Sequence, residues 1–422
     1  MQTDLLVLGT GITARTTIQY LQNHPDRSTF TFAIAGRSRA KLQTLVDELD
    51  LPASVPVKVV DVEDTESVDQ AVQSTKVVIN TVGPYWFYGT AVVRACVHHG
   101  VHHVDLSGEA QWIKAIITEF DYAASKKGSI IIPSCGMDSV PSDLTAYLGH
   151  KTLSTGTQDL NVLVDSSITA YKFHGAFSGG TIQSIVAGFD SVPRRVMMWA
   201  GASYALSPVT GIPDARPPVV HELPIPKSTR SLIGTYFPMS FINRGIVHRS
   251  YGLKEYQHIT APTKETARAR YGPNFKYSEF MVTSSRATAL FVSFTMLIGF
   301  AAIAIAPIRA IIKPLLPKSG HGPKTEKELH SGFLEVTNVT SAVGQDLQAI
   351  TTFKGKGDPG YYLTCFMLAE SGLALLEPEK LSPFVRRGGV LTTAVAIGDQ
   401  LVERLNKSGK IQIESRLIKS TA

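Results

Sequence analysis

The chain has 422 residues, 44% of them apolar and 18% charged; at roughly 150 residues per domain this allows two domains, at most three, and excludes disordered and fibrous classes. Forty-one Lys and Arg against thirty-five Asp and Glu leave a net charge of +6, too mild to mark a nucleic-acid protein. Three cysteines (Cys96, Cys135 and Cys365) with no C-x-x-C argue against a disulfide framework or a structural zinc site and suit the reducing cytoplasm. The first residues lack the basic n-region of a signal peptide, so the sequons at Asn338 and Asn406 read as unused.

From residue 5 to about 133, short apolar runs alternate with helical patterns, which predicts βαβ units and a mostly parallel sheet. Six strands are expected, at 5–8, 29–35, 57–60, 77–81, 103–105 and 130–133, with Ser38 and Asp64 as helix N-caps between them. This is a Rossmann-type domain over 1–134. From Cys135 the pattern loosens into longer segments with Gly, Ser and Pro clusters, giving a second, mixed α/β domain over 135–386. Within it, residues 227–277 hold nine Lys and Arg against two Glu, and residues 287–308 carry no ionisable side chain until Arg309, Lys313 and Lys318 follow. An apolar helix is expected over 361–376 and an amphipathic one over 392–407.

Gly9-Thr10-Gly11-Ile12-Thr13-Ala14 follows a strand and opens a helix, the context that the G-x-G-x-x-G/A dinucleotide fingerprint requires. Glycine lets the backbone turn sharply beside the pyrophosphate, which the helix N-terminus attracts. Where an acidic residue would bind a ribose 2′-hydroxyl, the chain offers Arg37 and Ser38, with Lys41 beyond; an arginine fork there suits a 2′-phosphate, so NADPH is the expected cofactor. Asp61 is either an adenine-side contact or an ordinary helix cap.

Ligands of open α/β sheets bind outside the carboxyl ends of the strands. That selects Asn80 with Val82, Gly83 and Pro84 on the cofactor side. Ser107, Cys135, Asp138 and Ser139 fall on the substrate side, together with the Gly179-Gly180-Thr181 turn. A nicotinamide reductase needs a proton source beside the hydride acceptor; Tyr85 is the first candidate, then Tyr88, with Glu109 as a carboxyl alternative. Cys135 reads as a small buried neutral thiol more readily than as a redox one. The His98-His99-Gly100-Val101-His102-His103 cluster is a helix end, a glycine stop and the next strand, so no metal is expected.

These motifs resemble a known family. Val82-Gly83-Pro84-Tyr85, Asp105-Leu106-Ser107-Gly108-Glu109, Cys135-Gly136-Met137-Asp138-Ser139-Val140-Pro141-Ser142-Asp143, Ser178-Gly179-Gly180-Thr181 and Gly388-Gly389-Val390-Leu391-Thr392 are similar to the saccharopine dehydrogenase-like oxidoreductases, the group that holds lipid-droplet-associated eukaryotic members and bacterial trans-acting enoyl reductases. The resemblance implies a Rossmann domain, a second α/β domain, and a C-terminal segment, 387–422, that returns to the first. Two features depart from it. The glycine turn is shorter than the family's usual G-x-x-G-x-x-G, and Asp138-Ser139-Val140-Pro141 stands where saccharopine-forming enzymes carry Asp-Pro-Gly.

The expected activity is NADPH-dependent reduction of an activated C=C bond, or of a C=O or C=N bond, in a lipophilic metabolite such as an acyl or polyketide chain. The enzyme would act alone or with a separate synthase. The alternatives are a saccharopine-type dehydrogenase on an amino-acid imine and a non-catalytic NADP-binding scaffold. Residues 287–308 predict a leaflet-dipping element on a membrane or lipid droplet, with the basic stretches around it drawn to anionic head groups; a buried helix or a homodimer contact is the alternative.

Overall fold

The computed structural model describes residues 2–137, 139–157, 162–175, 184, 186, 188–316, 322 and 325–419. Seven parallel strands form the first sheet: β1 (Thr3–Leu8), β2 (Phe32–Gly36), β3 (Val57–Val59), β4 (Thr75–Asn80), β5 (His102–Asp105), β6 (Ile130–Ile132) and β13 (Gly389–Val390). Their spatial order is β13-β6-β5-β4-β1-β2-β3. β1 pairs with β2 on one side and β4 on the other, so the strand order reverses there and opens a crevice at the carboxyl edge. The strand expected from residue 29 begins at Phe32 because Arg27–Thr29 form a 3-10 turn, closed by Thr29 Oγ1 donating to the Asp26 carbonyl.

The connecting helices are α1 (Ile12–Gln22), α2 (Arg39–Glu48), α3 (Thr65–Val72), α4 (Tyr85–His99) and α5 (Ala110–Lys127). Ser38 and Asp64 cap α2 and α3 as expected, and Gly100, at φ +69, ends α4. His98 and His99 of that last turn reach the Asp69 carboxylate on α3, 3.9 and 3.2 Å away.

After β6 the chain enters α6 (Val140–Thr155) and the second sheet, ordered β14-β12-β11-β7-β10-β9-β8. Its members are β7 (Val164–His174), β8 (His221–Pro224), β9 (Ser231–Tyr236), β10 (Lys276–Val282), β11 (Phe333–Ala342), β12 (Leu347–Lys356) and β14 (Ile411–Lys419). Only β7 and β10 are parallel neighbours; the other pairs are antiparallel. α6 lies close on this sheet, since a Cβ at Gly149 would stand 2.2 Å from Thr340 Oγ1.

Three segments depart from the expected division. The helix Thr364–Ala374, within the expected second domain, packs on the first sheet: a Cβ at Gly372 would meet Ile79 and Val104. The final segment, 387–422, is shared: β13 extends the first sheet while β14 edges the second. The expected amphipathic helix breaks into Thr393–Ala396 and Gly398–Lys407, where Gly398 sits against the Tyr147 ring.

Arg249, on the helix Ser240–Thr260, crosses between the two halves fully buried. It donates to the carbonyls of Leu206 and Val390 and to the Asp121 carboxylate of α5, so the interior supplies the acceptors a buried guanidinium needs. The concentration of basic residues over 227–277 is largely spent in this way. Arg244 pairs with Asp214, Arg270 with Glu255 and Lys276 with Asp165, which corrects the expectation that this stretch is a free cationic surface.

A second buried charge is Glu279 of β10, which accepts from Ser142, Tyr277 and Asn243 at 2.7, 2.7 and 2.8 Å. Burial outweighs these donors and pushes its carboxyl up to about 7. The folded state therefore holds this proton more tightly than the unfolded chain does. The resulting stabilisation is full below the ordinary carboxyl range and is lost as pH rises through about 7. Glu279→Gln should remove that dependence: in denaturant titrations, wild-type stability should fall relative to the variant by up to about 3 kcal/mol between pH 5 and 8. Parallel curves would show that this carboxyl ionises normally.

Candidate active site

Gly9 leaves β1 at φ +131, a conformation that L side chains rarely adopt, and a Cβ there would lie 2.1 Å from Thr81 Oγ1. Thr81 donates through both its hydroxyl and its amide to the Leu8 carbonyl, each at 2.9 Å, which locks the loops after β1 and β4 together. Gly36, at the end of β2, faces the same turn, because a Cβ there would touch the Thr10 methyl. Gly11 then caps α1 with open space on its Cα, and no side chain bonds the helix end. The amides of Ile12 and Thr13 in this first turn carry the partial positive charge of the helix terminus, with no acidic residue nearby in sequence to neutralise it. A glycine cradle with open amides fits a dinucleotide pyrophosphate.

Beyond β2, Arg37 is exposed and makes no ion pair among the described residues. Ser38 Oγ accepts from the Lys41 amide at 3.3 Å, which leaves its hydroxyl proton free to donate. Arg37, Ser38 and the exposed Lys41 thus form a cationic corner suited to a 2′-phosphate. Asp61 Oδ1 accepts from the Glu63 amide at 3.1 Å in the turn ahead of α3, whose N-cap is Asp64, so Asp61 is not the helix cap.

The rim behind the crevice is tightly bonded. Asn80 is buried, accepts from the Val82 amide and leaves its Nδ2 without a partner among the described residues. Gly83 and Pro84 are joined by a cis peptide bond, and α4 starts immediately after. Tyr85, the first-choice proton donor, is buried; its hydroxyl donates to the Asn80 carbonyl at 3.0 Å and accepts from the Leu106 amide at 3.2 Å. Burial, then the neighbouring Asp105, pushes its phenol well above the ordinary range. This geometry makes Tyr85 a brace between the loops after β4 and β5 rather than a free acid. Glu109 is likewise committed, accepting from the amides of Tyr85 and Trp86 at 2.8 and 2.9 Å and from Ser184 at 3.1 Å, although burial still raises its carboxyl above the usual value. Tyr88, one turn into α4, is partly exposed, and its hydroxyl has no hydrogen-bond partner among the described residues.

Residues expected on the substrate side divide similarly. Ser107 is buried: its hydroxyl accepts from the Glu109 amide and its carbonyl from Ser134 Oγ. Ser139 is buried and donates to Asn243 Oδ1 at 3.1 Å. Cys135 is fully buried with its thiol directed to the Ile132 carbonyl, and burial pushes that thiol well up, so it is a packing residue and not an exposed nucleophile. Asp138 and the Gly179-Gly180-Thr181 turn lie outside the described residues. Two organising residues were missed as such by the sequence reading. Asp105 accepts from the amides of Ser107 and Ser134 at 2.8 and 3.1 Å and pairs with His103 Nε2 at 2.9 Å; Thr81 fills the space that Gly9 leaves.

The family described as saccharopine dehydrogenase NADP binding domain matches residues 5–132. A trans-acting enoyl reductase of Mycobacterium bovis (strain BCG) is 30% identical over 438 residues, covering 98% of both chains. The chain belongs to the saccharopine dehydrogenase-like oxidoreductases. A Mycobacterium tuberculosis protein whose name as a trans-acting enoyl reductase is provisional is 32% identical over 430 residues, 96% of each chain. The solved structure of apo saccharopine dehydrogenase (L-Glu forming) from Saccharomyces cerevisiae aligns over 99% of this chain and 100% of its own, with a TM-score of 0.54 and 13% identity, and so shares the fold. This member of the family is an NADP-dependent oxidoreductase, and the glycine cradle described above is in its NADP-binding domain.

Because Arg37 is exposed and has no ion pair among the described residues, reversing its charge should leave folding intact. Arg37→Asp is expected to weaken NADPH binding about 100-fold while NADH binding changes little. Calorimetric titration with both cofactors checks this; equal losses would remove Arg37 from the 2′-phosphate.

Proposed function

We propose that this oxidoreductase reduces the activated C=C bond of a lipophilic enoyl chain, presented as an acyl or polyketide thioester by a separate synthase. The observation that carries this reading is similarity along almost the whole chain to proteins named trans-acting enoyl reductases, spanning both sheets and not the cofactor domain alone. The departure at Asp138-Ser139-Val140-Pro141 from the Asp-Pro-Gly of saccharopine-forming enzymes favours it over an amino-acid imine.

NADPH, when bound, supplies the hydride that adds to the β-carbon of the enoyl group. The protein's own work is positioning and protonation. The amides of Ile12 and Thr13 hold the pyrophosphate at the open end of α1, and Arg37 with Ser38 holds the 2′-phosphate. The loops after β4, β5 and β6 present the reactive carbon, because Tyr85, Glu109 and Asp105 bond them into one rigid rim. The α-carbon then needs a proton. Tyr88 is assigned as its donor, since its hydroxyl is the one among the three sequence candidates that no bond to a described residue already commits.

Tyr88→Phe should lower kcat by about 100-fold or more with NADPH affinity near normal, whereas Tyr85→Phe should mainly lower the thermal midpoint by removing a buried brace. The assay is NADPH consumption with an α,β-unsaturated acyl thioester. Turnover restricted to an α-keto acid plus an amino acid would overturn the enoyl assignment, and an active Tyr88→Phe enzyme would return the proton to Glu109.

A further inference from the structure

The apolar run noted in the sequence forms a helix, Arg286–Ala304, followed after a break at Ile305 by a shorter one, Ala306–Ile312. Ala289 is the only residue of the first helix that is buried, which overturns the buried-helix alternative. Its first half rests on the β8–β9 hairpin, where Ser293 bonds Thr235 and the Val219 carbonyl. Its second half leaves the hairpin, and its end is tied back where the buried Arg309 donates to the carbonyls of Ile303 and Ala304 and to Asp190. Residues 297–301 are five consecutive exposed positions, more than one helical turn, so every face of the helix is bare there. The exposed side chains are large and apolar: Phe291 (69% exposed), Phe294 (62%), Leu297 (66%) and Ile298 (53%), with Ile305, Ile308, Ile311 and Leu315 continuing along the return leg.

A protein partner seated on one side would leave the other faces wet, whereas lipid surrounds a helix on all of them. The length is equally specific. Between Ser293, held by the hairpin, and Ile303, held by Arg309, the helix runs roughly 15 Å at about 1.5 Å per residue, about half of a ~30 Å hydrocarbon core. That is the depth of one leaflet, not a span. Among the described residues no unpaired charge enters this volume. Arg309, the first ionisable residue after the run, is buried and pairs with Asp190 at 2.7 Å, and Lys313 pairs with the same carboxylate at 2.6 Å. These two bases, expected to meet head groups, are thus retained by the protein.

The cationic rim comes from elsewhere. Four and five residues beyond Asp190, Arg194 and Arg195 are exposed and have no ion pair among the described residues. The same short helix exposes Met198 (77%) and Trp199, and Lys114 lies over the Trp199 ring at 4.8 Å. Asp190 thus answers both bases of the return leg, and Arg194 and Arg195, which follow it closely in the chain, are left without a counter-ion among the described residues. Tryptophan beside arginine is the composition that settles at a head-group boundary.

We propose that residues 286–315 form a helical hairpin that inserts into one leaflet of a bilayer containing anionic phospholipid, with Arg194 and Arg195 at the head groups and Arg309 neutralised by Asp190 beneath them. The proposal stands apart from the enoyl assignment, since binding to vesicles is read without turnover.

The test is flotation of the full chain with vesicles of phosphatidylcholine, with and without phosphatidylglycerol. The protein should float with the mixed vesicles, and about tenfold less at equal lipid when phosphatidylglycerol is omitted or when Arg194→Gln and Arg195→Gln are combined. Combining Phe291→Ser, Phe294→Ser, Leu297→Ser and Ile298→Ser should abolish flotation from either vesicle while NADPH affinity is retained, which shows that the exposed positions, and not the fold, were lost. Three outcomes overturn the proposal. One is a chain that stays with the soluble fraction whatever the lipid; another is a serine variant that floats like the wild type. The third is a dimer, seen by light scattering, that the serine variant converts to monomer, which would make a second copy the occupant.

Discussion

A single buried carboxylate organises the catalytic edge. Asp105 ends β5 with no access to solvent, and each of its donors comes from a different part of the rim: the amide of Ser107 in its own loop, the amide of Ser134 in the loop after β6, and the imidazole of His103. An ion placed there without partners would cost several kcal/mol, so the two loops must adopt the shape that supplies them. Ser134 is held at φ +63 in doing so, a conformation that is uncommon for a residue with a side chain. Glu109 repeats the arrangement one step away by receiving the amides that open α4. The rim is thus defined by where anions find backbone N–H groups, and side chains such as Tyr85 complete it.

How far this was legible in the sequence depends on the range of the interactions. The six strands of the first domain and the caps Ser38 and Asp64 are written locally, in alternating apolar runs and in polar residues one position ahead of a helix. The cradle was legible for the same reason: Gly9 and Gly11 have a fixed place between strand and helix. Tyr85 shows where local reading stops. A tyrosine after a Gly-Pro turn looks available, but its hydroxyl is taken by Asn80 and Leu106, a bond across two loops that no spacing announces. Cys135 was weighed as a buried thiol and is one. The C-terminal strand was illegible in another way, because Ile411 and Ile413 alternate as any edge strand would and carry no mark of which sheet they join.

Charge shows the same limit. Nine basic residues in a short stretch read as a surface, yet Arg249, Arg244 and Lys276 answer acceptors or carboxylates contributed by segments outside it. Arg309 and Lys313 were read as cations and meet Asp190 from far upstream. Counting charge along a chain says how many partners are required, and only the fold says whether they are lipid, cofactor or protein. Of the cations that have no ion pair among the described residues, Arg37 at the cofactor corner and the Arg194 and Arg195 pair are the informative ones.

The threading of the chain between its two sheets has a consequence for biosynthesis. The edge of the first sheet, β13, is Gly389–Val390, and the helix that covers β4 and β5 is Thr364–Ala374. While the polypeptide is still emerging from the ribosome, the β4 and β5 part of one face, beside α1, is therefore bare until nearly nine-tenths of the protein has been made, and the edge at β6 stays open slightly longer. Newly synthesised molecules expose aliphatic β-structure for most of translation, and this protein must either complete its nucleotide-binding half after release or be shielded by a chaperone until then.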